Sequence, residues 1–123
     1  MKTSVHDGDI APMITFLGII TPYEHLPATH IPHHRPWRKG QVTPMGGRII
    51  FELLSCRESG NYVRININDG ITALPGCSSG PGNSCFLDEF ALLVARKGRE
   101  FGEFREVCGL GREAGEGITF LHQ

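Results

Sequence analysis
Ile10, Met13, Ile14 and Leu17 recur at helical spacing, with Pro12 in the tolerant first turn and Gly18 as a stop, which predicts a short helix over residues 9–17. His6 and Asp7 then fall at a helix N-terminus. From Thr21 to Pro44, five prolines and four histidines interrupt every period, so this stretch reads as an ordered surface loop packed by Trp37. Arg48 to Leu54 is an apolar run with Glu52 inside it and reads as a buried strand. Tyr62, Arg64 and Asn66 alternate with Val63, Ile65 and Ile67, and Asn68-Asp69-Gly70 supplies turn residues before Ile71-Thr72-Ala73-Leu74, so a hairpin is expected. Phe86, Leu87, Phe90, Leu93 and Val94 mark one face of a second helix, opened by Asp88 and Glu89 and stopped at Gly98. A third, from about Glu100 to Val107, turns Phe101, Phe104 and Cys108 inward; Ile118-Thr119-Phe120 reads as either a last short strand or a docked end.

The order is helix, long loop, strands, helix, helix, without the regular strand–helix alternation of a complete doubly wound domain. A lone hairpin with three short helices buries its apolar faces poorly. The expected fold class is therefore α/β, or α+β as a fragment, with residues 1–123 forming part of a domain. A hydrophobic content of 40% is ordinary for a folded chain and excludes a low-complexity tail. Twelve Lys and Arg against 13 Asp and Glu leave a formal charge of -1, with no basic run, so nucleic acid is not an expected partner. No apolar stretch approaches the roughly 18 residues of a membrane span. The opening, Met1 to Asp7, lacks the apolar core and cleavage site of a secretory signal.

The candidate chemistry starts at His6 and Asp7. Helix N-terminal N–H groups favour an anion such as phosphate, an imidazolium adds a donor, and the neighbouring carboxyl can protonate a leaving oxygen. The alternative is a capping Asp beside a surface His. His25, His30, His33 and His34 raise the question of a metal, but no helix presents them on one face and no cysteine is close in sequence, so solvated loop histidines are favoured. Protonating all six histidines carries the formal charge from -1 to +5, which attracts anions at acid pH. Cys77 and Cys85 bracket a turn-rich loop suited to closure by a disulfide, favoured over free thiols, whereas Cys56 and Cys108 have no obvious local partners. Gly109-Leu110-Gly111-Arg112-Glu113-Ala114 has the loose form of a dinucleotide loop but follows a helix instead of a strand. No cofactor or metal is expected.

Ser4-Val5-His6-Asp7-Gly8-Asp9-Ile10, Val42-Thr43-Pro44-Met45-Gly46-Gly47-Arg48, Glu52-Leu53-Leu54-Ser55-Cys56, Tyr62-Val63-Arg64-Ile65-Asn66-Ile67-Asn68-Asp69 and the Cys77 to Cys85 loop stand in order. Together, from about Val5 to Cys108, they resemble the C-terminal part of a fungal histidine acid phosphatase, the branch of secreted acid phosphatases and 3-phytases. The resemblance implies hydrolysis of small-molecule phosphomonoesters at acid pH through a phosphohistidine. His6 would contact the phosphate and Asp7 would protonate the leaving alcohol. It further implies a Cys77–Cys85 disulfide, upstream partners for Cys56 and Cys108, and a secreted parent protein.

The departures shape the expectation equally. The family's Arg-His-Gly-x-Arg-x-Pro motif, which supplies the nucleophilic histidine and phosphate-binding arginines, occurs nowhere in the chain; His34-Arg35-Pro36 has neither its order nor its glycine. Gly8 stands where the family more usually has Thr or Asn, and Met1 falls where a strand would run toward the site, so the pair is expected to lack that support. The chain thus reads as carrying the proton-donor half of the site and as inactive alone. The competing readings are a non-catalytic truncated remnant or binding module, whose exposed half-core associates with another chain, and a metal-binding loop protein built on the histidines.

Overall fold
The computed structural model describes residues 2–4, 6–21 and 25–111. Its centre is an antiparallel sheet in which β1 (Lys2–Ser4), β2 (Ile49–Cys56), β3 (Gly60–Ile67) and β4 (Gly70–Thr72) lie in spatial order. A short β5 (Cys85–Phe86) also pairs with β3, at Tyr62 and Val63, beside the stretch Ile65–Ile67 that β4 occupies. Among the described residues the sheet is joined by four α-helices, α1 (Asp7–Phe16), α2 (Lys39–Val42), α3 (Leu87–Phe101) and α4 (Phe104–Val107). The architecture is the expected mixed α/β arrangement of a hairpin, short helices and a disulfide loop.

The expected hairpin forms as β3 and β4, and β3 also pairs along its whole length with β2. Ile49 faces Ile67, Phe51 faces Ile65 and Leu53 faces Val63 on one side of the β2–β3 ladder, while Glu52 faces Arg64 and Leu54 faces Tyr62 on the other. Arg64 Nε donates to Glu52 Oε2 at 2.6 Å, so the second side is closed by a cross-strand ion pair. The β3–β4 connection is the two-residue turn Asn68-Asp69, whose φ angles of 49° and 66° both lie in the left-handed region required by the turn that matches strand twist. β4 stops at Thr72, and Leu74 is a buried core residue bridged to Cys77 instead of a strand continuation.

The apolar side of the ladder is covered from both ends of the chain. Ile10, Ile14 and Leu17 of α1 and its C-cap share one buried cluster with Val42, Ile49, Ile65, Leu74, Cys77 and Cys85, and Phe90 and Leu93 of α3 pack against it. The Phe51 and Phe90 rings meet at 6.2 Å. Each such aliphatic side chain taken fully out of water contributes about 1.5–3 kcal/mol, which makes this cluster the main cohesive element.

Several expectations change. β1, which the sequence pattern did not reveal, pairs Lys2 with Phe51, Thr3 with Ile50 and Ser4 with Ile49, so a strand does lead to the His6–Asp7 pair. It covers the outer edge of β2 only as far as Phe51; among the described residues, Glu52 to Cys56 have no partner strand there. The Pro- and His-rich loop contains α2. Gly98 does not stop α3, which runs on to Phe101 and ends at Gly102, where a φ of 76° breaks the helix. That break separates Phe101 from α4, and Phe101, Phe104 and Cys108 are exposed instead of turned inward. Ile118-Thr119-Phe120 and Arg112 to Ala114 of the glycine-rich motif lie outside the described residues. No helix among the described residues is long and apolar enough to cross a membrane.

Candidate active site
His6 is the N-cap of α1. Its φ and ψ of -99° and 140° are extended, and its carbonyl accepts from the N–H groups of Asp9 and Ile10 at 3.1 and 3.0 Å, which starts the helix. The imidazole takes part as well: Gly8 N donates to His6 Nδ1 at 3.1 Å and to Asp7 Oδ1 at 2.9 Å, and Nδ1 lies 3.2 Å from Asp7 Oδ1. Two proton arrangements fit this triangle. A neutral ring accepts the Gly8 N–H at Nδ1, whereas an imidazolium turns its Nδ1–H to the carboxylate and leaves the Gly8 N–H to Asp7. Both place an N–H at Nε2 on a side chain that is 77% exposed. A Cβ at Gly8 would stand 3.1 Å from Nδ1, so glycine leaves the ring its room here.

A third group joins the pair. Lys39, the first residue of α2, places Nζ 3.7 Å from Asp7 Oδ2. Spacing could not have revealed this, because Lys39 follows Asp7 by 32 positions across the irregular loop. What holds α2 in place is the β3–β4 turn. Asn68 Nδ2 donates to the Gln41 and Val42 carbonyls, both at 3.0 Å, while its Oδ1 accepts from Arg48 N at 3.0 Å. Arg48 also forms an ion pair with Asp69. The site therefore sits where the end of β1, the start of β2 and the end of β3 come together. It combines the positive end of α1, an imidazole, a carboxyl and an ammonium, an arrangement suited to an anionic ligand and to proton transfer at its edge.

The remaining candidates stand apart. Cys77 and Cys85 form the expected disulfide, with Cα atoms 4.9 Å apart, and both are buried. Glu89 Oε2 lies 3.1 Å from Cys77 Sγ. Cys77, Cys85 and Glu89 are the one group of three metal-type side chains gathered among the described residues, but sulfurs joined to each other offer no thiolate to a metal. Cys56 is half-buried and Cys108 exposed, both as free thiols. His25, His30, His33 and His34 line a cavity of about 1080 Å³ with Trp37, and no three of them converge as ligands.

The chain is 36% identical over 115 residues to a phytase from Candida albicans, covering 94% of this chain and 24% of that protein. It is 34% identical over 112 residues to an acid phosphatase from Komagataella pastoris, covering 89% of this chain and 24% of the relative. The crystal structure of the phytase from D. castellii superposes with a TM-score of 0.77 at 35% identity, over 94% of this chain and 24% of that one. The chain thus spans about a quarter of the length of these relatives. Residues 3–68, which include α1, the His6–Asp7 pair, Lys39 and the β2–β3 hairpin, match the histidine phosphatase superfamily (branch 2), and the chain belongs to that family.

Proposed function
We propose that this chain supplies the proton-donor half of an acid phosphatase or phytase active site that hydrolyses small-molecule phosphomonoesters. The observation that carries the reading is the pair itself. His6 and Asp7 lie side by side at the N-terminus of α1, solvent-accessible and inside the stretch that matches the family. The phosphoryl group rests against the Nε2–H of His6 and the positive helix end. A histidine from an Arg-His-Gly-x-Arg-x-Pro segment, absent from these 123 residues, attacks phosphorus. The P–N bond forms as the P–O bond to the alcohol breaks, and Asp7 gives its proton to the departing oxygen. Water then cleaves the phosphohistidine, releasing phosphate and returning a proton to Asp7.

On this reading residues 1–123 are part of a larger domain. α3 carries no buried residue, and Leu53, Leu92, Phe104 and Val107 are 56–71% exposed, which supports a surface made to meet more protein. Cys56 and Cys108 pair with cysteines of that remaining part, and the parent protein is secreted, as the disulfide loop favours.

The test has three arms. The purified chain should release no phosphate from p-nitrophenyl phosphate at acid pH, and release that disappears in Asp7→Asn would overturn the division of labour. Mapping the transcript upstream of the Met1 codon should reveal an open frame encoding the Arg-His-Gly-x-Arg-x-Pro segment. In a polypeptide carrying both halves, Asp7→Asn should slow the chemical step by about 10²–10⁴-fold, the usual contribution of a positioned general acid. A loss under tenfold would remove Asp7 from that role.

A further inference from the structure
Away from the His6–Asp7 pair, α1 and the end of α3 enclose an apolar groove of about 480 Å³ that nothing among the described residues fills. It is lined by Ala11, Pro12, Thr15, Phe16, Trp37 and Phe101, none of them charged. The Thr15 hydroxyl donates to the Ala11 carbonyl at 3.0 Å, so the floor of the groove asks for no polar partner. The Phe101 wall is held by the Phe16 ring at 5.6 Å and by the Lys97 ammonium at 5.7 Å, yet Phe101 is 49% exposed. α1 thus buries Ile10 and Ile14 in the core and turns a second, water-exposed strip toward this groove.

The chain itself carries a segment of matching character, and its path starts beside the groove. After the break at Gly102, α4 folds back so closely that a Cβ on Gly102 would stand 3.1 Å from Val107 Cγ2. α4 is closed in turn at Gly109, where φ is 62°, with Gly109 N donating to the Glu106 carbonyl and Leu110 N to the Arg105 carbonyl. The chain therefore leaves α4 from a fixed place next to Phe101. Arg112 to Gly117 then holds charges and glycines, and Ile118-Thr119-Phe120-Leu121 is the one apolar run that follows. The 11 residues from Val107 to Ile118 reach about 36 Å when extended, far more than a return to the neighbouring wall requires.

We propose that Ile118-Thr119-Phe120-Leu121 docks in this groove, with the Phe120 ring as its anchor among Phe16, Trp37 and Phe101. Three aromatic side chains offer a fourth ring both edges and faces to pack on. A flexible tether of this length holds the segment at roughly millimolar effective concentration, which favours the chain's own segment over that of a second copy. Docked there, the segment straps the Pro- and His-rich loop to α1 at Trp37, just ahead of α2. The inference is independent of the phosphatase reading.

The experiment follows the 123-residue chain by NMR and by the fluorescence of Trp37, its single tryptophan. The Phe120 ring protons should show nuclear Overhauser contacts to the Ala11 and Thr15 methyl groups that persist on dilution. Phe120→Ser should remove these contacts and move Trp37 emission to longer wavelength, whereas Phe120→Leu, which keeps an apolar anchor, should leave the emission in place. Thr15→Asp, a charge on the exposed floor of the groove, should release the segment as Phe120→Ser does. Absence of the contacts in the wild-type chain, or an emission that Phe120→Ser leaves unmoved, overturns the proposal. Contacts that fade on dilution also overturn it, because the groove then takes a segment from a second copy. So do contacts from Phe120 to the His30 or His33 ring protons in their place, which would put the segment in the loop cavity on the other side of Trp37.

Discussion
The two carboxylate oxygens of Asp7 have unequal surroundings, and the inequality comes from the residue before it. His6 caps α1 from an extended backbone, so the carboxyl that follows is held at Oδ1 and faces Lys39 at Oδ2. The pair was legible because its members are adjacent and precede a periodic apolar run. Lys39 was not, since nothing in an irregular loop indicates which of its charges returns to the helix start. Elsewhere single residues answer to space instead of charge. A Cβ on Gly80 would meet Tyr62 Cδ1 at 2.6 Å and the Ser84 carbonyl oxygen at 2.8 Å, beside the fully buried Ser84 whose Oγ donates to the Pro81 carbonyl. Gly80→Ala should therefore destabilise the chain by about 1–3 kcal/mol, the usual cost of overpacking, read as a lower urea midpoint. An unchanged midpoint would mean that both the Tyr62 ring and the Ser84 backbone give way freely.

At the scale of elements, legibility followed the range of the interactions. The β3–β4 turn depends on neighbours in sequence, and the alternation of β3 with its turn chemistry identified it, whereas β2 was legible as an apolar run but its pairing with β3 was not. β1 has three residues and no alternation of its own, and takes its place only from pairing with β2. α3 shows the opposite failure. Gly98 resembled a stop, yet the helical face continues past it and the break comes at Gly102, where the backbone itself turns left-handed. A Cβ on Gly98 meets nothing within 4 Å. Replacing this exposed, interior helical glycine by alanine should stabilise the chain by about 0.5–1 kcal/mol, measurable as a raised thermal midpoint; a lowered one would place the end of α3 before residue 98.

For the whole molecule, the half-covered edge of β2 sets the outcome. Beyond Phe51 that strand keeps its bonds to β3 on one side, while on the other its backbone from Glu52 to Cys56 meets no described strand. Alternate amides along this stretch should accordingly exchange with deuterium within minutes while those turned to β3 are retained far longer, and uniform protection would show the edge to be occupied in solution. A strand left in this state is a template in waiting: five residues of main chain offer a register to any extended segment that arrives, whatever its side chains. The same opening that would accept a strand from elsewhere would let two copies of this chain pair edge to edge, so solubility at high concentration depends on what reaches that edge first.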